Sequence, residues 1–237
     1  MVHSETTSGV LNEIEQVGKL VKKHLPESTF VVDCVSSFGA VPIDLQKSNI
    51  DFLITSSNKC IQAVPGFAIV ICNKDKLLSC KGNSKSLALD LVDQYEQMEK
   101  TSQFRFTPPT HTILAFQEAL HELEREGGST ARYNRYSNNH KILRDALAEL
   151  GFKDLVPLKE QSKIINTFHY PNDKNFDFEE FYKRLSDKGK IIYPGKITKA
   201  PCFRIGNIGD LHAQDMHDLI DSIKEVLTDM NVKMPVK

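Results

Sequence analysis

Three short apolar runs set the strongest limit on how this 237-residue chain can fold. Thr29-Phe30-Val31-Val32, Asp51-Phe52-Leu53-Ile54-Thr55 and Phe67-Ala68-Ile69-Val70-Ile71-Cys72 are rich in β-branched and aromatic residues. Each is too short for a buried helix and reads as a strand. Ahead of them Ile14, Val17, Leu20, Val21 and Leu25 recur at helical spacing until Pro26 breaks the pattern. Helix and strand alternate, which points to a layered α/β domain. After Pro108-Pro109, the residues Ile113, Phe116, Gln117, Leu120 and Leu123 describe a helix that Gly127-Gly128 should stop.

A second set of elements follows. Ile142, Leu143, Ala146, Leu147 and Leu150 form one amphipathic helix, and Phe178, Phe181, Tyr182 and Leu185 another. Residues 164–170, 191–193 and 202–205 read as strands, and Met216, Leu219, Ile220, Ile223, Val226 and Leu227 as a closing helix. Two domains are therefore expected, residues 1–127 and 128–237, the second a small α/β domain of its own.

Charge and cysteine content narrow the partners. Thirty basic side chains against 31 acidic ones give a net charge of −1, so nothing predicts an electrostatic nucleic-acid or membrane partner. Cys34, Cys60, Cys72, Cys80 and Cys202 are scattered, with no Cys-x-x-Cys and no histidine spaced to complete a zinc site. A reducing compartment and no metal are the expectation. Residues 1–10 carry no basic or apolar leader segment, and no apolar run approaches the roughly 20 residues of a membrane helix. This predicts a cytoplasmic protein.

Two polar residues stand where chemistry gathers in such a fold. Asp33 is the first polar residue beyond the first run, and Lys59 follows the second through Ser56-Ser57-Asn58. Ligands of open α/β sheets sit outside the carboxyl ends of the strands, where the two would meet. An amine and a carboxylate together are what pyridoxal phosphate requires: the amine forms a Schiff base with its aldehyde, and the carboxylate keeps its pyridine nitrogen protonated. An aspartate after a strand is also a common turn residue, and a lysine in a polar loop is commonly solvated.

Longer blocks carry a resemblance. Val2-His3-Ser4-Glu5-Thr6-Thr7-Ser8-Gly9-Val10-Leu11-Asn12, Val32-Asp33-Cys34-Val35-Ser36-Ser37-Phe38-Gly39, Ser57-Asn58-Lys59-Cys60-Ile61-Gln62, Phe104-Arg105-Phe106-Thr107-Pro108-Pro109-Thr110-His111, Tyr193-Pro194-Gly195-Lys196 and Cys202-Phe203-Arg204-Ile205-Gly206-Asn207-Ile208-Gly209 resemble, in order, the 2-aminoethylphosphonate:pyruvate transaminase family. The resemblance implies a fold-type I pyridoxal phosphate enzyme and a homodimer. Residues 1–127 would be the later part of a large domain with a mostly parallel sheet. The reaction would move the amino group of 2-aminoethylphosphonate to pyruvate, giving phosphonoacetaldehyde and alanine.

The same resemblance implies roles for six residues. Lys59 would form the Schiff base and shuttle the proton, and Asp33 would pair with the pyridine nitrogen. Thr6 would hydrogen-bond the cofactor's phenolic oxygen; it also reads as a turn threonine before Gly9. Asn58 and Thr107 would contact the cofactor phosphate, Thr107 from the partner subunit. Thr107 equally reads as a strand residue ahead of two prolines. Arg204 would hold the substrate anion, with a structural ion pair to a nearby Asp or Glu as the alternative.

One departure is large. The family carries a stretch upstream of the His3-Ser4-Glu5 block that includes its phosphate-cradling loop, so the chain reads as N-terminally truncated. Gly127-Gly128 falls at a helix end and residues 206–209 follow the Arg204 strand, and neither fits as a substitute. Ala63, where glycine is usual, is a smaller departure. An open sheet edge, a tendency to associate, and weak or absent activity of the chain alone are the expectations. The alternatives are an alanine/serine:glyoxylate-type transaminase of the same fold and a truncated, catalytically incompetent form.

Overall fold

A computed structural model describes residues 1–195 and 200–236. In chain order its elements are β1 (Ser4–Glu5), β2 (Val10–Leu11), α1 (Ile14–His24), β3 (Val31–Asp33), β4 (Phe52–Ser56), β5 (Ala68–Cys72), α2 (Lys74–Leu78) and α3 (Leu91–Thr101). There follow α4 (Thr110–Glu126), α5 (Gly128–Glu149), β6 (Ile165–His169), α6 (Phe178–Asp187), β7 (Tyr193–Pro194), β8 (Cys202–Gly206) and α7 (Ala213–Asp229). The chain divides into two compact units. The first holds Met1–His3, Glu13–Phe38 and Ile43–Glu122; the second holds Ser4–Asn12, Gly39–Pro42 and the residues from Leu123 on. Two early segments thus group with late residues, which a single boundary in sequence cannot express.

The first unit is built on the sheet β3-β4-β5. β3 and β4 run parallel with Val32 opposite Leu53 and Asp33 opposite Ile54, whereas β4 and β5 are antiparallel with Leu53 opposite Ile71. The mostly parallel sheet expected from sequence therefore contains one antiparallel pair in this part. Connection length explains it: the segment 57–67 contains no helix, and a parallel return needs a crossover of about a dozen residues or more.

Burial is one-sided here. Val32 and Leu53 have no exposure and pack with Ile14, Val17, Val21 and Phe30, while Val31 on the opposite face is 38% exposed. Each fully buried side chain of this kind contributes roughly 1.5–3 kcal/mol. α1 ends in Lys22, Lys23 and His24, cations that suit the negative end of its dipole, and Pro26 prevents its continuation. Among the described residues β5 pairs only with β4. Two short helices, α2 and α3, went unexpected. Each is started by a side-chain cap: Asn73 Oδ1 accepts from Lys76 N, and Asp90 Oδ1 from Val92 N and Asp93 N.

The second unit is denser. Its antiparallel sheet has the order β6-β8-β7, and its core lies among β6, β8, α5, α6 and α7. Phe203 stands at the centre, with ring centroids 5.6 Å from Phe152, 5.7 Å from Phe168 and 5.7 Å from Phe181. α5 begins at Gly128, well before the apolar pattern at Ile142, because its first half buries Arg132, Tyr136, Asn139 and His140. Arg132 and Arg135 both pair with Glu126, at 2.7 and 2.8 Å, and Arg135 Nη1 also donates to the carbonyls of Gly209 and Leu211. Burial opposes ionisation of Glu126, but the two guanidinium groups outweigh it and lower its pKa.

Candidate functional site

The six residues singled out in the sequence fall in both units. Asp33, Asn58, Lys59 and Thr107 belong to the first; Thr6 and Arg204 belong to the second.

Parallel pairing brings Asp33 and Lys59 to one edge of the first unit's sheet. Asp33 ends β3 on the face opposite Val32, and Lys59 lies just beyond the end of β4. The strand ends are tied together past the ladder: Cys34 N donates to Ile54 O at 2.8 Å, and Cys60 Sγ to Ser36 O at 3.4 Å. Asp33 Oδ1 accepts from Val35 N at 2.9 Å, and its backbone is gripped by Met1 O and His3 N, both at 2.8 Å. The carboxylate itself is exposed.

Lys59 stands on a fixed loop. Ser57 is fully buried, its Oγ donates to Val64 O at 2.7 Å, and Cys60 and Ile61 are buried on the other side. The chain turns at Gln62, whose φ of 67° is left-handed and whose N–H donates to Lys59 O. Among the described residues Lys59 Nζ has no ion pair or hydrogen bond. Asn58 is exposed, its Oδ1 accepting from Ser56 Oγ at 2.9 Å. Thr107 is exposed in an irregular segment before α4, so the strand reading of that residue does not hold.

His3, Ser37, Ser57 and Thr167 were not singled out as candidates. Buried His3 Nδ1 and Ser37 Oγ are hydrogen-bonded at 2.9 Å. Burial lowers the His3 pKa to about 4, so the ring is neutral at neutral pH, and it raises the Cys34 thiol to about 12, which makes that cysteine inert.

In the second unit Arg204 lies on the central strand β8 and is 7% exposed. Its Nε and Nη2 donate to Pro194 O at 3.2 and 3.1 Å, Nη1 donates to Thr6 O at 2.8 Å, and the guanidinium lies 5.7 Å from the Tyr193 ring centroid. No carboxylate pairs with it among the described residues, so the ion-pair alternative fails. Across the ladder it faces Thr167, whose buried Oγ1 has no partner among the described residues. Gly195 keeps β7 close: a Cβ there would lie 2.2 Å from Cys202 O. Thr6 is half-buried in the β1–β2 turn. Lys196, from the Tyr193 block, lies outside the described residues.

Residues 1–211 match the aminotransferase class-V family. The chain belongs to that family. A class-V relative from Bacillus cereus (strain Q1), described as 2-aminoethylphosphonate–pyruvate transaminase, is 54% identical over 224 residues, which are 94% of this chain and 60% of its own length. The chain thus spans about three fifths of the curated relatives it matches. Among solved structures, pyridoxamine-pyruvate aminotransferase from Mesorhizobium loti superposes with a TM-score of 0.87 at 22% identity, over 99% of this chain and 60% of that one. Ureidoglycine-glyoxylate aminotransferase from Bacillus subtilis gives 0.85 at 20% identity, over 99% and 61%. These likenesses establish the fold as that of the fold-type I aminotransferases. No helix among the described residues is long and apolar enough to cross a membrane.

Proposed function

We propose that the protein of which this chain is a part or the whole is a pyridoxal phosphate-dependent transaminase that transfers the amino group of 2-aminoethylphosphonate to pyruvate, giving phosphonoacetaldehyde and alanine. The observation that carries the reading is Lys59: an amine without a partner among the described residues, on a loop fixed by buried neighbours, at the sheet edge where the Asp33 carboxylate is exposed. The substrate pair follows the Bacillus cereus relative.

These groups fit the cofactor. Pyridoxal phosphate, when bound, supplies an electron-withdrawing ring that stabilises charge on the carbon losing its proton. Lys59 Nζ would hold the cofactor through its aldehyde and would be the base that moves the proton at the substrate's carbon. Asp33 would keep the pyridine nitrogen protonated, since a nearby carboxylate favours the charged ring. Thr6 would donate to the phenolic oxygen, and Asn58 and Thr107 would donate to the phosphate.

Arg204 holds the substrate's phosphonate or carboxylate. A guanidinium has five N–H donors. Three are committed to Pro194 O and Thr6 O, and two are left for the parallel pair of bonds an oxyanion takes. We further take residues 1–127 as part of a large domain and 128–237 as a small one, and the active form as a cytoplasmic homodimer with Thr107 serving the partner's site. Exposed Leu87, Leu89, Phe104 and Phe106 support an interface between copies.

Absorbance and product analysis test the reading. The protein with pyridoxal phosphate should develop the visible absorbance of a lysine-linked cofactor, Lys59→Ala should not, and alanine should form from 2-aminoethylphosphonate and pyruvate. Turnover of serine with glyoxylate instead would move the assignment to the glyoxylate enzymes. Absence of the band in the unaltered protein would remove the catalytic reading for this chain.

A further inference from the structure

The hairpin β1–β2 is small and depends on the unit around it. Its ladder has two residue pairs, Ser4 with Leu11 and Glu5 with Val10, and a hairpin of that size is not stable by itself. Inside the turn, Gly9 N donates to Glu5 O at 2.8 Å and Thr7 N to Glu5 Oε1 at 2.7 Å. The Ser4 hydroxyl, 2.8 Å from Ser162 Oγ, and two of the hairpin's carbonyls connect it to the rest of the second unit. Gly9 O accepts from Ser162 N at 2.7 Å, and Thr6 O accepts from Arg204 Nη1 at 2.8 Å. The second bond is charge-assisted and is the one at Thr6 itself.

The turn rests on the face of the sheet that carries the guanidinium. Gly9 has a φ of 89°, and a Cβ on it would lie 3.2 Å from Thr167 Oγ1, the residue opposite Arg204 in the ladder. The guanidinium has three donors engaged and two open, and one of the engaged donors is the bond it shares with the turn. An oxyanion that takes the open pair fixes its plane without displacing Thr6 O, and so shortens the excursions of the turn.

We infer that Arg204 is the positioning residue of the Thr6 turn, and that an oxyanion held by Arg204 tightens the turn that carries Thr6. This rests on the proposal that Arg204 receives the substrate's anion, and it adds a linkage: the group that senses the substrate also sets the side chain expected at the cofactor's phenolic oxygen.

Hydrogen exchange read by mass spectrometry tests it without any turnover, using methylphosphonate, an anion with no amine to transfer. Saturating methylphosphonate should slow exchange of residues 4–12 by roughly tenfold, the factor one charge-assisted hydrogen bond supports. Arg204→Gln should speed that exchange by about the same factor without ligand, and Arg204→Lys should retain the fold and lose the methylphosphonate effect. Calorimetry on the same samples separates the two claims. Binding that is undiminished in Arg204→Lys overturns the anion reading. Binding that needs Arg204 while residues 4–12 exchange unchanged, or faster, overturns the linkage. The comparison of bound and free unaltered protein decides the linkage even where Arg204→Gln does not fold.

Discussion

Asp33, Asn58 and Thr107 in the first unit are exposed and Lys59 Nζ is unpartnered among the described residues, whereas Arg204 in the second unit is 7% exposed with three donors engaged by backbone. The cores differ in the same sense. α1 covers one face of β3 and β4, while the second unit closes a cluster of aromatic rings around Phe203. The candidate groups of the first unit are thus uncommitted, and Arg204 in the second is held in a preset frame. Substitutions at the first unit's site should cost function and spare stability, and those beneath Arg204 should cost both.

The largest expected effect is at Lys59. Lys59→Ala should lower amino transfer by about 10²–10⁴-fold, the range for a positioned proton-transfer group, while urea unfolding shifts by less than about 0.5 kcal/mol. A fall in stability of several times that size would break the contrast between the units. Next comes the core: Phe203→Ala should destabilise by about 3–5 kcal/mol, and Leu53→Ala, beside a sheet face left open, should stay near the lower end of about 2–5 kcal/mol. Circular dichroism during urea unfolding measures both, and equal losses would mean that the two cores are equally close-packed.

Acid should act on both units. Burial lowers His3 in the first unit and His140 in the second from 6.5 to about 4. The unfolded chain takes up protons near pH 6.5 and the folded chain only near pH 4, so stability is full above about 6.5 and falls as pH drops between those values. Each histidine accounts for roughly 3 kcal/mol of that fall. Unfolding at pH 7, 5 and 4 should show it, and His140→Gln should flatten the slope without changing its sign; a slope unchanged by that substitution refutes the assignment to His140. The smallest effect is expected at Ser57. Ser57→Ala removes the bond to Val64 O, at a cost of about 1 kcal/mol, and should weaken cofactor binding only a few-fold, read by titration of the visible band.

Sequence made the site's outline legible where a strand ends. Asp33 and Lys59 were visible because β-branched runs stop just before them, and β3, β4, β5, β6, β8, α1, α4, α6 and α7 followed from apolar periodicity. α2 and α3 did not, since each buries one residue, Leu77 and Val92, and leaves too faint an apolar stripe. The first half of α5 was hidden for the opposite reason: its buried face is polar and depends on Glu126 and on residues 209–211, which no local pattern reveals. Ser37, Ser57 and Thr167 look like ordinary small polar residues until burial gives them work. That Arg204 lacks a carboxylate partner among the described residues is likewise a fact of three dimensions.

Both acceptors that seat Arg204 are main-chain oxygens, those of Thr6 and Pro194. Replacing either residue leaves its carbonyl in the chain, so point substitution at 6 or 194 cannot delete the seat. Evolution, or a designer, is free to vary the side chain at 6, and with it the hydroxyl, while the guanidinium keeps its footing. Losing the seated guanidinium requires changing residue 204 or rerouting the backbone beside it.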